Sequence, residues 1–153
     1  MRGTFNFLLI LFSTTFVFGQ SGGTNCGGME PICTDSGVQF TANDGGLDAS
    51  ISEPTNDYNC LGSAPNPSWY YFEISQPGDI IMSLSAPQDI DFIIWGPYSS
   101  LANAIANCGS YGTAVPDINC LLPGFMCDSY GCSFDPSNIE TPGIPNAQVG
   151  EVY

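Results

Sequence analysis

Basic side chains are almost absent from this chain, which has one Lys or Arg, no His, and 15 Asp or Glu residues. The single basic residue is Arg2, so no positive side chain follows it. This composition excludes Ser-His and Cys-His nucleophiles, Schiff-base lysines, histidine metal sites and arginine clamps for phosphate. The negative charge also argues against nucleic acid and anionic lipid as partners. The remaining carboxylates, amides, hydroxyls, aromatics and cysteines are typical of an extracellular binding or structural module.

Residues 1–19 have the pattern of a secretory signal peptide. Met1 and Arg2 form a short charged start, residues 5–18 are strongly apolar, and small residues follow at Gly19 and Ser21. The apolar run is too short and too interrupted by Ser and Thr to span a bilayer core of about 30 Å. We therefore expect cleavage near Gly19 or Gln20 and a secreted or cell-surface protein that is not integral to a membrane after this cleavage.

Cysteines suit this destination, because oxidising compartments permit disulfides. Zinc is the competing explanation, but the chain lacks His, and neither Cys26/Cys33 nor Cys127/Cys132 has zinc-knuckle spacing. We predict disulfides, with local bridges at Cys26–Cys33 and within the group Cys120, Cys127 and Cys132. An odd number leaves one thiol free, bonded to another chain, or paired with a cysteine absent from this sequence. The seven candidates are Cys26, Cys33, Cys60, Cys108, Cys120, Cys127 and Cys132.

About 134 residues remain after the signal, which suits one domain with its own core. Gly and Pro are scattered between short apolar runs, a pattern that indicates many short strands. We expect residues 20–153 to form a single all-β module, a disulfide-tied antiparallel β-sandwich of jelly-roll type. A Cys-, Gly- and Pro-rich excursion without regular structure is expected at about 109–143. Residues 147–153 resemble an opening strand, which predicts a further strand beyond Tyr153.

Individual elements follow from local patterns. Residues 43–59 are expected to be loop, and residues 100–107 a short helix capped by Ser99 or Ser100 and ended by Gly109. Alternation in residues 80–85 places Ile80, Met82 and Leu84 inward. The predicted strands before and after this segment are apolar or aromatic on both faces. Strands are predicted within residues 37–42, 68–74, 80–85 and 89–95.

Asp89 and Asp91 lie two residues apart and so on one face of a strand. Their repulsion would be relieved by calcium, which binds carboxylate and carbonyl oxygens. The alternative is that each carboxylate caps a turn or accepts N–H bonds from a loop, since no EF-hand pattern is present. Residues 43–48 are a weaker calcium candidate and fit a simple turn.

Aromatic residues suggest a second candidate site. Trp69, Tyr71, Trp95 and Tyr98 could form a platform on which a sugar stacks, and such a platform requires an exposed Trp69 or Trp95. The alternative is ordinary packing in a sandwich, where aromatics are common. A glycosidase would need two positioned acids and groups that orient them, and this short chain offers no basic residue for that task. No enzyme activity is therefore expected.

Several runs resemble an N-terminal module of large secreted proteins of gliding bacteria, which carry PKD or other Ig-like repeats and a C-terminal gliding-motility or type IX sorting domain. The runs are Cys-Leu-Gly at 60–62, Pro-Asn-Pro-Ser-Trp-Tyr-Tyr at 65–71, Gly-Asp-Ile at 78–80, Asp-Ile-Asp-Phe-Ile-Ile-Trp-Gly-Pro-Tyr at 89–98, and Ile-Pro-Asn-Ala-Gln-Val-Gly-Glu-Val-Tyr at 144–153. The chain is also faintly similar to the bacterial pre-peptidase C-terminal domain, a small β-sandwich.

The resemblance implies a non-catalytic surface or adhesion role and supplies no catalytic residue. Its implied partners are an extracellular glycan or protein surface and downstream domains of the same longer chain. Two alternatives remain open: a carbohydrate-binding module, and an accessory domain appended to a secreted hydrolase.

Overall fold

Short strands dominate the computed structural model, which describes residues 20–32, 40–41, 47–116 and 131–153. The strands are β1 (Gln20–Ser21), β2 (Glu30–Pro31), β3 (Phe40–Thr41), β4 (Tyr70–Tyr71), β5 (Gly78–Ile81), β6 (Leu84–Ser85), β7 (Phe92–Ile93), β8 (Cys132–Ser133), β9 (Ile139–Glu140) and β10 (Gly143–Ala147). The helices are α1 (Ala49–Ser52) and α2 (Leu101–Ala106), with one 3-10 turn at Cys26–Gly28. The described chain is thus rich in strand and poor in helix, as predicted. The predicted signal peptide lies outside the described residues.

Residues near Tyr153 lie between two earlier segments. β4 pairs in parallel with β2, and just beyond β4 the backbones of Phe72 and Tyr153 exchange hydrogen bonds of 3.1 Å in both directions. On the other side, Val152 and Tyr98 exchange backbone bonds of 2.8 and 2.9 Å. Val152 is fully buried as a result. The segment predicted as an opening strand therefore already has partners on both edges.

A second ladder joins the middle of the chain to its last third. β5 pairs antiparallel with β10, and β6 pairs antiparallel with β9. Between these pairs, the N–H of Met82 donates to the carbonyl of Pro142 at 2.9 Å, so the ladder continues. Ser83 and Ser85 are exposed while Ile80, Met82 and Leu84 are partly buried, which confirms the predicted alternation.

Two separate clusters form the interior. Successive side chains of one strand point to opposite faces, so Ile93 and Trp95 pack in one cluster while Ile94 packs in the other. We call them the aromatic core (Cys26, Ala49, Tyr58, Trp69, Trp95 and Tyr111) and the aliphatic core (Ile74, Val115, Ile144 and Ala147).

Disulfides link remote parts of the chain at the aromatic core. Cys26 is bonded to Cys108 across 82 residues, and Cys60 to Cys132 across 72 residues. The predicted Cys26–Cys33 bridge is wrong, because the 3-10 turn buries Cys26 in the aromatic core beside the end of α2. Cys132 likewise bonds outside its local group, because β8 carries it to the loop that follows α1. The other three cysteines lie outside the described residues: Cys33, Cys120 and Cys127.

Both helices begin at side-chain caps. Ser100 caps α2 by accepting the N–H of Asn103 at 3.1 Å, and this confirms the predicted helix. Asp48 caps α1, so the prediction of loop throughout residues 43–59 is wrong at α1. The excursion at 109–143 also contains β8, β9 and the start of β10, because these segments pair with β7, β6 and β5. Residues 117–130 of that excursion, and the turn predicted at 43–46, lie outside the described residues.

Candidate functional site

The aromatic residues selected from the sequence lie mainly inside the protein. Trp69 and Trp95 are each 8% exposed and stack on each other, with ring centroids 5.3 Å apart and an interplanar angle of 10°. Tyr111 packs against both rings, at 5.2 Å from Trp95 and 6.1 Å from Trp69. A platform for sugar requires an exposed ring. The prediction of such a platform at Trp69 and Trp95 is therefore wrong, because each ring covers the other.

Backbone carbonyls of loops and helices bind the polar ends of these rings. Trp95 Nε1 donates to the carbonyl of Asp57 at 3.1 Å, and the Tyr111 hydroxyl donates to the carbonyl of Ala104 at 3.0 Å. The Tyr58 hydroxyl donates to the carbonyl of Ala49 at 2.9 Å. Burial raises the pKa of the Tyr111 and Tyr58 hydroxyls, so both stay neutral donors in the physiological range. These bonds satisfy the polar atoms of Trp95, Tyr111 and Tyr58, whereas Trp69 Nε1 is buried without a hydrogen-bond partner.

Tyr71 and Tyr98 are placed differently from the two tryptophans. Tyr98 is partly buried and packs against Tyr111 with ring centroids 5.4 Å apart, while Tyr71 lies in β4 opposite Pro31. Burial raises the pKa of the Tyr98 hydroxyl. A role of Tyr71 and Tyr98 in ligand binding stays a prediction, but the two buried tryptophans can no longer be part of that site.

Carboxylates gather at the surface around β9. Asp89 and Asp91 are exposed, and partial burial together with the charge of Asp89 raises the pKa of Asp91. Burial raises the pKa of Glu140, a hydrogen bond from Ser133 lowers it, and Asp135, Asp91 and Asp89 raise it further. One oxygen of Glu140, Oε1, is buried without a hydrogen-bond partner. The group is therefore repulsive, and protonation or a cation would relieve it.

The carboxylates around β9 do not by themselves define a metal site. Over the described ranges, no three or more Asp, Glu, His or Cys side chains are arranged to hold a metal ion. Asp48, from the weaker candidate segment, uses Oδ1 to accept the N–H groups of Ser50 and Ala64, both at 2.9 Å. Its pKa is lowered first by the hydrogen bond from the Ser50 side chain and then by that from the Ala64 backbone. Calcium at Asp89 and Asp91 stays a prediction, and Asp48 serves as a helix cap.

A surface pocket of about 210 Å³ lies where β10 meets the segments around residues 97, 115 and 152. Its walls include Pro97, Pro116, Pro145 and Tyr153, and Val115 and Ile144 of the aliphatic core also line it. Glu151 places a carboxylate in this otherwise largely apolar lining.

Local contacts fix the carboxylate of Glu151. Its Oε2 accepts the Gln148 N–H at 2.7 Å and the Tyr153 hydroxyl at 2.8 Å. The Tyr153 ring stacks on Phe72 at 5.8 Å, and a Cβ on Gly96 would approach Tyr153 Cδ1 to 2.6 Å. With a φ of +142°, Gly96 adopts a backbone conformation that other residues rarely take. Glycine at position 96 therefore allows the tyrosine to lie against the backbone.

Sequence reasoning did not select this pocket. Its residues are scattered between positions 97 and 153, and their spacing matches no motif. The one available signal was the high density of proline, which predicts turns but not that Pro97, Pro116 and Pro145 of β10 line one pocket. The sequence analysis placed Glu151 and Tyr153 in a predicted opening strand and in a run that resembles a known module, and in neither case as site residues.

Comparisons with known proteins give no assignment: no family model matches the chain, and neither curated proteins nor solved structures contain a match. Within the part of the chain that the structure describes, no helix is both long and apolar enough to cross a membrane.

Proposed function

We propose that residues 20–153 are an exported, non-catalytic module of a secreted or cell-surface protein, with a structural or ligand-contact role. The observation that carries this proposal is the pair of long-range disulfides at the aromatic core. Disulfides of this kind are typical of proteins that mature outside the reducing cytosol. The apolar leader with its charged start supports the same destination.

The non-catalytic part of the proposal rests on composition. After Arg2 the chain has no His, Lys or Arg to activate a nucleophile or orient an acid. The architecture that we propose is a β-sandwich of jelly-roll type, which is supported by the antiparallel pairing of β5 with β10, β6 with β9 and β7 with β8. We also propose that further domains of a longer chain follow this module, on the resemblance alone.

Export and oxidation are tested together by producing the full chain with its own leader in a bacterial host. We expect mass spectrometry of the extracytoplasmic fraction to find a chain that begins near Gln20, with Cys26 bonded to Cys108 and Cys60 bonded to Cys132. A matched control that lacks residues 2–19 should stay in the cytosol with reduced thiols. An uncleaved full chain in the cytosol with free thiols would contradict the proposal.

A further inference from the structure

We propose that the pocket between Pro97, Pro145, Glu151 and Tyr153 receives a lysine or arginine side chain of a protein partner. The inference deepens the ligand-contact role and rests on that proposed function. It identifies the partner by chemistry alone, as a protein with an exposed basic side chain.

The size of the pocket favours one side chain over a whole small molecule. Its volume is about 210 Å³. Small-molecule and cofactor sites are larger, at roughly 300–1,000 Å³. A long unbranched stem with a polar head fits such a site, because Lys and Arg bury their methylenes against apolar walls and keep the head at a polar group.

The polar lining selects a donor. Pro97, Pro116 and Pro145 have no backbone N–H, so three wall residues offer only carbonyl acceptors. The nearby N–H groups of Val115 and Asn146 are already used, by the carbonyl of Ile94 at 3.0 Å and by Asp79 Oδ1 at 2.8 Å. The Tyr153 hydroxyl donates to Glu151. Apart from the side-chain amide of Asn146, the lining therefore offers acceptors, and a ligand that brings its own donors fits better than one that brings acceptors.

Charge complementarity points the same way. Glu151 is the acidic side chain in the lining, and residues 3–153 contain no Lys, Arg or His that could pair with it. The two hydrogen bonds to Oε2 hold the carboxylate in one orientation before a partner arrives. Such preorganisation lowers the entropy lost on binding, and hydrogen bonds between charged groups are the stronger kind.

The test is a titration of the isotope-labelled, oxidised chain followed by amide chemical shifts. The probes are N-acetyl-lysine methylamide, its arginine counterpart, and N-acetyl-norleucine methylamide, which has an apolar stem and no charge. We expect the lysine or arginine probe, and not norleucine, to shift the amides of Asn146, Gln148 and Tyr153. Comparison of the first two probes identifies the preferred head group.

Variants separate the pocket from general charge attraction. Glu151→Gln should weaken binding of the basic probe at least tenfold, while Asp135→Asn removes one exposed charge outside the pocket and should leave binding nearly unchanged. Equal losses in both variants, equal binding of norleucine, or shifts spread over all acidic residues would overturn the inference. If Glu151→Gln does not fold, Glu151→Asp replaces it, and its shorter side chain should weaken the same shifts.

The export experiment and the titration distinguish a failure of the proposed function from a failure of the proposed basic-ligand site. A chain that is exported and oxidised but shows no localised shifts would overturn the basic-ligand site alone. A chain that binds the basic probe but stays reduced in the cytosol would instead overturn the proposed function.

Discussion

The aromatic core and the aliphatic core differ in how their chain segments are joined. The aromatic core collects loops, a 3-10 turn and Ala49 of α1, and a disulfide joins Cys26 of that core to Cys108 just beyond α2. The aliphatic core includes Ile144 and Ala147 of the longest strand, β10, and has no cysteine among its described members. Irregular backbone cannot form long ladders, so the core that depends on it gains most from covalent cross-links.

The largest effect should come from removing the cross-links of the aromatic core. Replacing Cys26 and Cys108 together by Ser is expected to lower the free energy of unfolding by about 2–5 kcal/mol, because the unfolded chain regains the freedom of a long loop. Chemical denaturation measures this loss. Both Trp residues of the chain lie in the aromatic core, so their fluorescence reports on that core alone.

Amide hydrogen exchange provides the control for this comparison. Protection should fall further at Tyr58 and Tyr111 of the aromatic core than at Ile80 and Ile144 of the β5–β10 ladder. Equal loss of protection in both regions would mean that the two cores unfold as one unit and that the contrast between them has no energetic meaning.

An effect of similar size is expected from Trp95→Ala, at about 3–5 kcal/mol lost from the free energy of unfolding. The substitution leaves a cavity between Trp69 and Tyr111 and leaves the carbonyl of Asp57 without its donor. Ile144→Val in the aliphatic core is the matched variant, expected to cost about 0.5–1.5 kcal/mol. A Trp95→Ala chain as stable as the Ile144→Val chain would contradict the assignment of Trp95 to the core.

The smallest effect concerns the carboxylates around β9. The pKa of Glu140 is raised in the folded state, so the folded protein binds a proton there more tightly than the unfolded chain. The resulting stabilisation is present in acid and is lost as the pH rises through that raised pKa. Glu140→Gln should therefore raise the melting temperature slightly at pH 7 and flatten its decline between acidic and neutral pH.

Asp48→Asn should change the pH dependence of stability in the opposite direction to Glu140→Gln. Its pKa is lowered in the folded state, so its contribution is present near neutral pH and is lost on acidification, and the variant should reduce that loss. An unchanged pH profile in Glu140→Gln would rule out repulsion among these carboxylates.

Calcium binding at Asp91 is tested by thermal melts in calcium and in a chelator. If calcium binds there, it should raise the melting temperature of the unmodified chain, and Asp91→Asn should abolish that rise.

Sequence patterns predicted the parts of the fold that depend on neighbours along the chain. Alternation around Ile80 and Met82 and the cap at Ser100 are local signals, and the structure confirms both. The stacking of Trp69 on Trp95 was missed, because a strand with apolar residues on both faces does not reveal which face loops will cover. Partners of Cys26 and Cys60 and the pocket at Glu151 depend on contacts between remote segments, which spacing does not encode.

The position of Val152 between Glu73 and Tyr98 has a consequence for the order in which contacts form as the chain is made. During synthesis, that pairing cannot form until residue 152 has left the ribosome, long after its two neighbours have emerged. Because non-local contacts must wait for the residues that make them, the backbones of Glu73 and Tyr98 stay without this partner while residues 99–151 are synthesised. On the export route that we propose, the chain crosses the membrane unfolded, and this delay would favour the pairing of Val152 in the compartment where the cysteines oxidise.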